Sequence, residues 1–198
     1  GFELVKIIRY LYNLIRLWKM KICGKYRGSI VQGFPILTEI RSDSGILSID
    51  GKLSCRTGTY LSAGTGSLSI GKGCFFNQNV MIVSKNEIVI GDNVIIGPNV
   101  VIVDHDHNYK VSDRKNTFTA APIHIGNNVW IGANVTIMKG TSIGEGSVIG
   151  AGVVLKGEYP ANTVIYEKAD IVMRPIERKK KDEKERKKNN AFRRSACR

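Results

Sequence analysis

All three histidines of the chain fall between Val103 and Ile125: His105, His107 and His124. An imidazole is the side chain best suited to accept a hydroxyl proton near neutral pH. Asp104 and Asp106 flank His105, a setting in which a carboxylate favours an imidazole that takes up a proton. The segment that begins "VDHDHNY" continues as the polar stretch "NYKVSDRKNTFTAAP". Sequence on both sides of it is strictly repetitive, and a loop inserted into a repeat is where such chains place function. His105 is the candidate general base.

The repeat sets the frame. Ile125, Ile131, Ile137, Ile143, Ile149 and Leu155 recur at a spacing of six, and Gly follows four of them, at Gly126, Gly132, Gly144 and Gly150. Val129, Val135, Thr141, Ser147 and Val153 stand four places after an aliphatic. This period fits neither a 3.6-residue helix nor a two-residue alternation. It fits a chain wound as a prism, one aliphatic per flat side, with a tight turn at each corner. Such hexapeptides mark parallel β-helices. Upstream, Ile70, Phe76, Ile82 and Ile88 hold the same phase. After a two-residue slip near "SKNE", Ile90, Ile96 and Ile102 resume it. Before Ile70 the pattern blurs into short strands and Gly turns.

With 198 residues, five Pro and 21 Gly, the chain reads as one folded domain able to bury a sizeable core. Cys23, Cys55, Cys74 and Cys197 show no paired metal spacing and are read as reduced thiols of a cytoplasmic protein. The net charge of +13 is concentrated at the ends. The tail 177–198 carries eleven Lys/Arg against four acids, with Phe192 its one aromatic, so no nucleic-acid partner is expected.

At the other end, 1–28 reads as an amphipathic helix. Leu4, Ile7, Ile8, Leu11, Leu14, Ile15, Trp18 and Ile22 form one apolar stripe, with Lys6, Arg9, Arg16 and Lys19 opposite. Charges interrupt it too often for a membrane span. Two readings stand: the stripe covers the open end of the β-helix, or it makes a peripheral contact with the inner face of a membrane.

Residues 68–176 resemble the hexapeptide-repeat acyltransferases with a left-handed β-helix, in the branch of the galactoside and maltose O-acetyltransferases and their surface-polysaccharide relatives. The resemblance rests on "FFNQNV" at 75–80, "IGDNVIIGPNVVI" at 90–102, "DHDH" at 104–107 and "IHIGNNVWIGANVTIMKGTSIGEGSVIGAGVV" at 123–154. It implies an all-β, left-handed parallel β-helix over 29–176 with an inserted loop 103–124. It also implies acetyl transfer from acetyl-CoA to a sugar hydroxyl, without a metal. By the same resemblance His105 is the catalytic base, and Asn77 holds the saccharide acceptor, with Asp104 and His107 beside it. Trp130, Ala133 and Ala151 line the pantetheine slot, and Lys156 and Arg174 meet the nucleotide phosphates. Homotrimers are implied too, packed through outward residues around Val94, Val129 and Val135, with the His loop of one subunit facing the coils of the next.

The chain departs from that pattern in places. Glu167, Ala169 and Ile171 replace a Gly-x-Pro-basic ending, Leu155-Lys156 replaces a Thr-Lys pair, and "DHDH" replaces "GHP". Other acyl acceptors (an amino sugar or serine) and a three-His zinc carbonic anhydrase on the same fold are the alternatives. A non-catalytic scaffold is the further one.

Overall fold

The computed structural model describes residues 2–35, 38–168 and 173–175. The unit Gly1–Glu167 is a parallel β-solenoid of hexapeptide repeats with one N-terminal helix. Its strands are two to four residues long and fall in turn onto three walls. The first wall holds seven strands, Tyr26–Gly28, Ile46–Ile49, Ser67–Ile70, Glu87–Ile90, Ile123–Ile125, Ser142–Ile143 and Glu158–Tyr159. The second wall runs from Ser54–Cys55 to Val164–Ile165 and the third from Glu39–Arg41 to Val154–Leu155, six strands each. Every pairing within the walls is parallel. Ile125 lies beside Ile143, Ile131 beside Ile149 and Ile137 beside Leu155, each eighteen positions on, so three hexapeptides close one coil.

All six aliphatics of the repeat from Ile125 to Leu155 are buried, and so are Val129, Val135, Thr141, Ser147 and Val153. Each hexapeptide therefore points two side chains at the axis, and the coils stack them into one continuous core. That stacking replaces the long-range packing a conventional sheet needs from a second layer. Cys55 and Cys74 lie in this core, where burial pushes both thiols up from their ordinary range. They serve as packing residues.

The two-residue slip at "SKNE" has a simple origin. The first-wall strands Ile46–Ile49, Ser67–Ile70 and Glu87–Ile90 are four residues long and bury two side chains each. Ile88 and Ile90 thus share one strand, and Ile70 pairs with Ile90 twenty positions on. The blurred region before Ile70 is coiled as well, back to Glu39–Arg41 and Tyr26–Gly28.

Corners use two devices. Three places after the inward residue of a strand, Asn79, Asn93, Asn99, Asn128, Asn134 and Asn162 adopt φ of 56–58°, the left-handed region that Asn tolerates among L-residues. Their amides bond from coil to coil, Asn79 to Asn99 at 3.1 Å and Asn99 to Asn134 at 3.2 Å. Gly directly after the aliphatic is needed for a different reason: φ at Gly132 is ordinary, but a Cβ there would stand 2.8 Å from the Ala151 amide nitrogen. Gly132→Val is expected to lower stability by about 1–3 kcal/mol, read as a drop in denaturant midpoint. An unchanged midpoint would show that the coils can separate freely.

The helix α1 spans Phe2–Ile22 and is closed by Gly24 at φ 70°, with the Lys25 amide donating to Met20 O at 2.9 Å. It covers the end of the prism, but not with its apolar stripe. Asn13 and Leu17 are the buried residues, and Asn13 Nδ2 donates to Phe34 O. Leu4, Ile7, Ile8, Leu11, Ile15, Trp18 and Ile22 are exposed. The expectation that the stripe caps the solenoid is therefore corrected. The helix lies on the prism end through its narrower Asn13–Leu17 side, because Asn13 and Arg16 reach main-chain carbonyls there.

Val94, Val129 and Val135 point inward. The outward apolar residues are the immediate neighbours of the first two, Ile95 and Trp130. Register aligns Phe75, Ile95, Trp130, Val148 and Val164 in one column along the second wall. The tail 177–198 lies outside the described residues.

Candidate functional site

The inserted loop leaves the third wall after Val101–Val103 and rejoins the first wall at Ile123–Ile125. It folds back as an antiparallel hairpin, His105 opposite Ala120 and His107 opposite Phe118. This is the one antiparallel pairing among the described residues.

Asp104 anchors the hairpin. Its side chain has no exposed surface, and its carboxylate accepts from the Lys85 amide, the Asn86 amide and Ser84 Oγ, each at 2.8 Å. Ser67 O, also 2.8 Å from Ser84 Oγ, is a second acceptor within reach of its one proton. The carboxylate also accepts from His105 Nδ1–H at 3.0 Å. This fixes the tautomer with the proton on Nδ1 and leaves Nε2 as the free lone pair. The His105 side chain is 12% exposed, largely sheltered but open to solvent. Asp104 was expected beside the substrate; its burial and four partners correct that.

The far side of the imidazole is braced by Phe118, whose ring meets His105 edge-on at 5.5 Å between centroids. Lys85 Nζ stands 3.9 Å from the centre of the same ring, a cation–π contact. Lys139 holds the hairpin from the next coil, bonding Asp106 Oδ2 at 3.0 Å and donating to Thr119 O at 3.2 Å. Sequence reasoning missed Ser84, Lys85, Phe118 and Lys139. Only the register brings them together: Val83, Val103 and Met138 are aligned, so Ser84, Asp104 and Lys139 occupy one corner position of three successive coils.

The other expected residues separate into groups. His107 is exposed, and its Nδ1–H donates to Arg114 O at 2.7 Å. It shares the Phe118 ring with His105. His124 stands on the outer face of the first wall, 3.2 Å from Glu87. No group of three or more His, Cys, Asp or Glu able to hold a metal occurs among the described residues.

Asn77, Ala133 and Ala151 follow second-wall strands and therefore line the edge between second and third walls. Asn77 is half-buried, and its Oδ1 accepts from the Gln78 amide at 2.8 Å. Ala133 and Ala151 sit on adjacent coils, tied by the Gly152 amide donating to Ala133 O. Trp130 projects outward from the second wall, 55% exposed. Lys156 follows a third-wall strand, so it shares the edge of Asp104 and Lys139 and is not brought beside Ala133 and Ala151. Arg174 is exposed, in the separate unit Lys168–Arg198.

The arrangement is an oriented imidazole on one edge of a prism and a small-residue edge flanked by an exposed Trp on another. Known proteins share parts of this sequence and this fold. The model of the bacterial transferase hexapeptide family (six repeats) matches residues 122–157. Galactoside O-acetyltransferase of Escherichia coli (strain K12) is 41% identical over 106 residues, which cover 53% of this chain and 52% of that protein. The chain thus spans about half the length of that curated relative. A maltose O-acetyltransferase from Clostridium difficile 630 matches at 26% identity and a TM-score of 0.50, covering 87% of this chain and 88% of the other. AntD, an N-acyltransferase from Bacillus cereus solved with dTDP and 3-hydroxybutyryl-CoA, shares the fold. Its TM-score is 0.62 at 18% identity, over 91% of this chain and 96% of that one. The chain is a hexapeptide-repeat β-solenoid, similar in sequence over about half its length to galactoside O-acetyltransferase and in fold to a maltose O-acetyltransferase.

Proposed function

We propose that this protein is an O-acetyltransferase that moves an acetyl group from acetyl-CoA to a saccharide hydroxyl. The observation that carries the reading is the His105–Asp104 pair: a sheltered imidazole, fixed in one tautomer, on the loop that interrupts the repeat. His105 Nε2 takes the proton of the acceptor hydroxyl while its oxygen attacks the thioester carbonyl. The C–S bond then breaks, and the imidazolium returns the proton to the departing thiolate. Main-chain N–H groups at the mouth of the site stabilise the tetrahedral oxyanion.

Ala133 and Ala151, beside Gly97 and Gly132, offer an edge without bulky side chains where a long thin pantetheine arm can lie. Trp130 flanks it on the second wall. Asn77 and His107 bind the acceptor. The Asn77 amide can donate and accept, and His107, whose Nδ1–H is held by Arg114 O, offers Nε2 as an acceptor. The acceptor belongs to a surface polysaccharide or its lipid-linked precursor, which suits a cytoplasmic enzyme at the inner face of the membrane.

One chain separates His105 from the edge of Asn77, Ala133 and Ala151 by a wall of the prism. This supports a homotrimer in which neighbouring copies bring the two edges together, with the column of Ile95 and Trp130 at the contact. Mixing His105→Ala subunits with Ala133→Trp subunits is then expected to restore part of the activity that neither variant has alone. A fully active monomer by light scattering would exclude the shared site.

The test of the reaction is thiol release from acetyl-CoA against a panel of sugars and oligosaccharides. Release is expected with a hydroxyl acceptor. Release with amines alone would replace O-transfer by N-transfer.

A further inference from the structure

Beside α1 lies a cavity of about 420 Å³ whose lining includes Arg16, Lys19, Lys25 and Arg41, with Asp43 the one acid and Met20 and Ile40 on its apolar side. Arg16 is poorly satisfied there. Its Nη1 donates to Thr38 O at 2.6 Å and its Nη2 to Asn13 Oδ1 at 2.8 Å, but buried Nε has no partner. No carboxylate pairs with it among the described residues. Burial pulls its pKa below the ordinary arginine value, partly offset by Tyr12. A partly desolvated cation in a basic cavity is stabilised by an incoming anion.

The helix that carries Arg16 and Lys19 also carries the exposed stripe. Lys19 lines the cavity and directly follows Trp18, so the cationic cavity and the apolar face adjoin. We infer that α1 seats the protein on an anionic phospholipid bilayer, with the stripe in the acyl boundary and a lipid phosphate in the Arg16–Lys25 cavity. Charge supports this occupant: α1 holds five basic residues and one acid, Glu3. Length and polarity agree, since no helix among the described residues is long and apolar enough to cross a membrane.

A second copy is the rival occupant, because Leu4, Ile8, Leu11, Ile15, Trp18 and Ile22 are spaced as a coiled-coil seam. Val5, Ile7 and Tyr12 are exposed as well, which makes the face wider than a seam. The flanking positions of a homotypic coil would include Lys19 and Lys21 and no acid to pair with them. This inference deepens the membrane contact of the proposed function, and its readout is binding without turnover, so the two fail separately.

The test is sedimentation of the full chain with vesicles of phosphatidylcholine, alone or equimolar with phosphatidylglycerol. Binding to the mixed vesicles is expected to be at least about tenfold tighter, from several basic residues near the surface. The Leu11→Glu/Trp18→Glu variant is expected to lose binding to both, with its helical content by circular dichroism intact. Lys19→Gln/Lys25→Gln is expected to lose most of the preference for phosphatidylglycerol. Four results would overturn the inference. These are no capture by the mixed vesicles, an unchanged preference in the lysine variant, or dissociation of the stripe variant with vesicle binding intact. The fourth is a rise in melting midpoint with inorganic phosphate alone while vesicles capture nothing.

Discussion

His105→Ala is expected to lower turnover by about two to four orders of magnitude, the range for loss of a general base. Binding of acetyl-CoA is expected to persist, because Ala133, Ala151 and Trp130 lie on another edge and another wall. The informative control is His107→Ala. Its imidazole is exposed and tied to Arg114 O rather than to a buried carboxylate, so that variant should keep most of its turnover number and lose chiefly affinity for the acceptor. Steady-state rates with a responsive saccharide, together with a binding titration of acetyl-CoA, separate chemistry from binding. The reverse pattern, with His105→Ala active and His107→Ala dead, would move the base to the other imidazole.

Asp104→Ala is expected to reduce both stability and rate. The carboxylate satisfies the amides of Lys85 and Asn86 in a buried corner, and leaving such donors without an acceptor destabilises by about 3 kcal/mol in total. Rate should fall by at least about tenfold, because His105 loses the partner that selects its tautomer. Asp104→Asn separates the two effects: it keeps the volume but offers one acceptor oxygen in place of two. A denaturant midpoint and a turnover number for each variant test this, with the pH profile as the readout a purely structural role would not move. Unchanged stability in Asp104→Ala would mean that the Ser84–Asn86 turn finds another acceptor.

Much of this architecture was legible in the order of residues. The spacing of Ile125 to Leu155 reports a coil period directly, because each strand is so short that its inward residue is set by local alternation alone. The position of His105 at a break in that period was legible for the same reason. What lies between coils was not. Ser84, Asp104 and Lys139 meet at one corner though they are twenty and thirty-five positions apart, and two uneven coil lengths hide their common phase. Asp104 therefore looked like a neighbour of the acceptor, whereas packing buries it under the hairpin. The extra inward residue of the first-wall strands read as a slip, since Ile88 and Ile90 on one strand mimic a lost register.

The amphipathic helix shows the same division. By itself the sequence determined that α1 has an apolar face. Tertiary structure decided where that face points, because the prism end presents main-chain carbonyls at Phe34 and Thr38 that Asn13 and Arg16 satisfy. A buried carbonyl without a donor is costly, whereas an exposed apolar stripe still has a membrane or a partner copy available to cover it. The helix's orientation follows from the side on which Asn13 and Arg16 satisfy coil-end carbonyls and Leu17 enters the core, not from its widest apolar face.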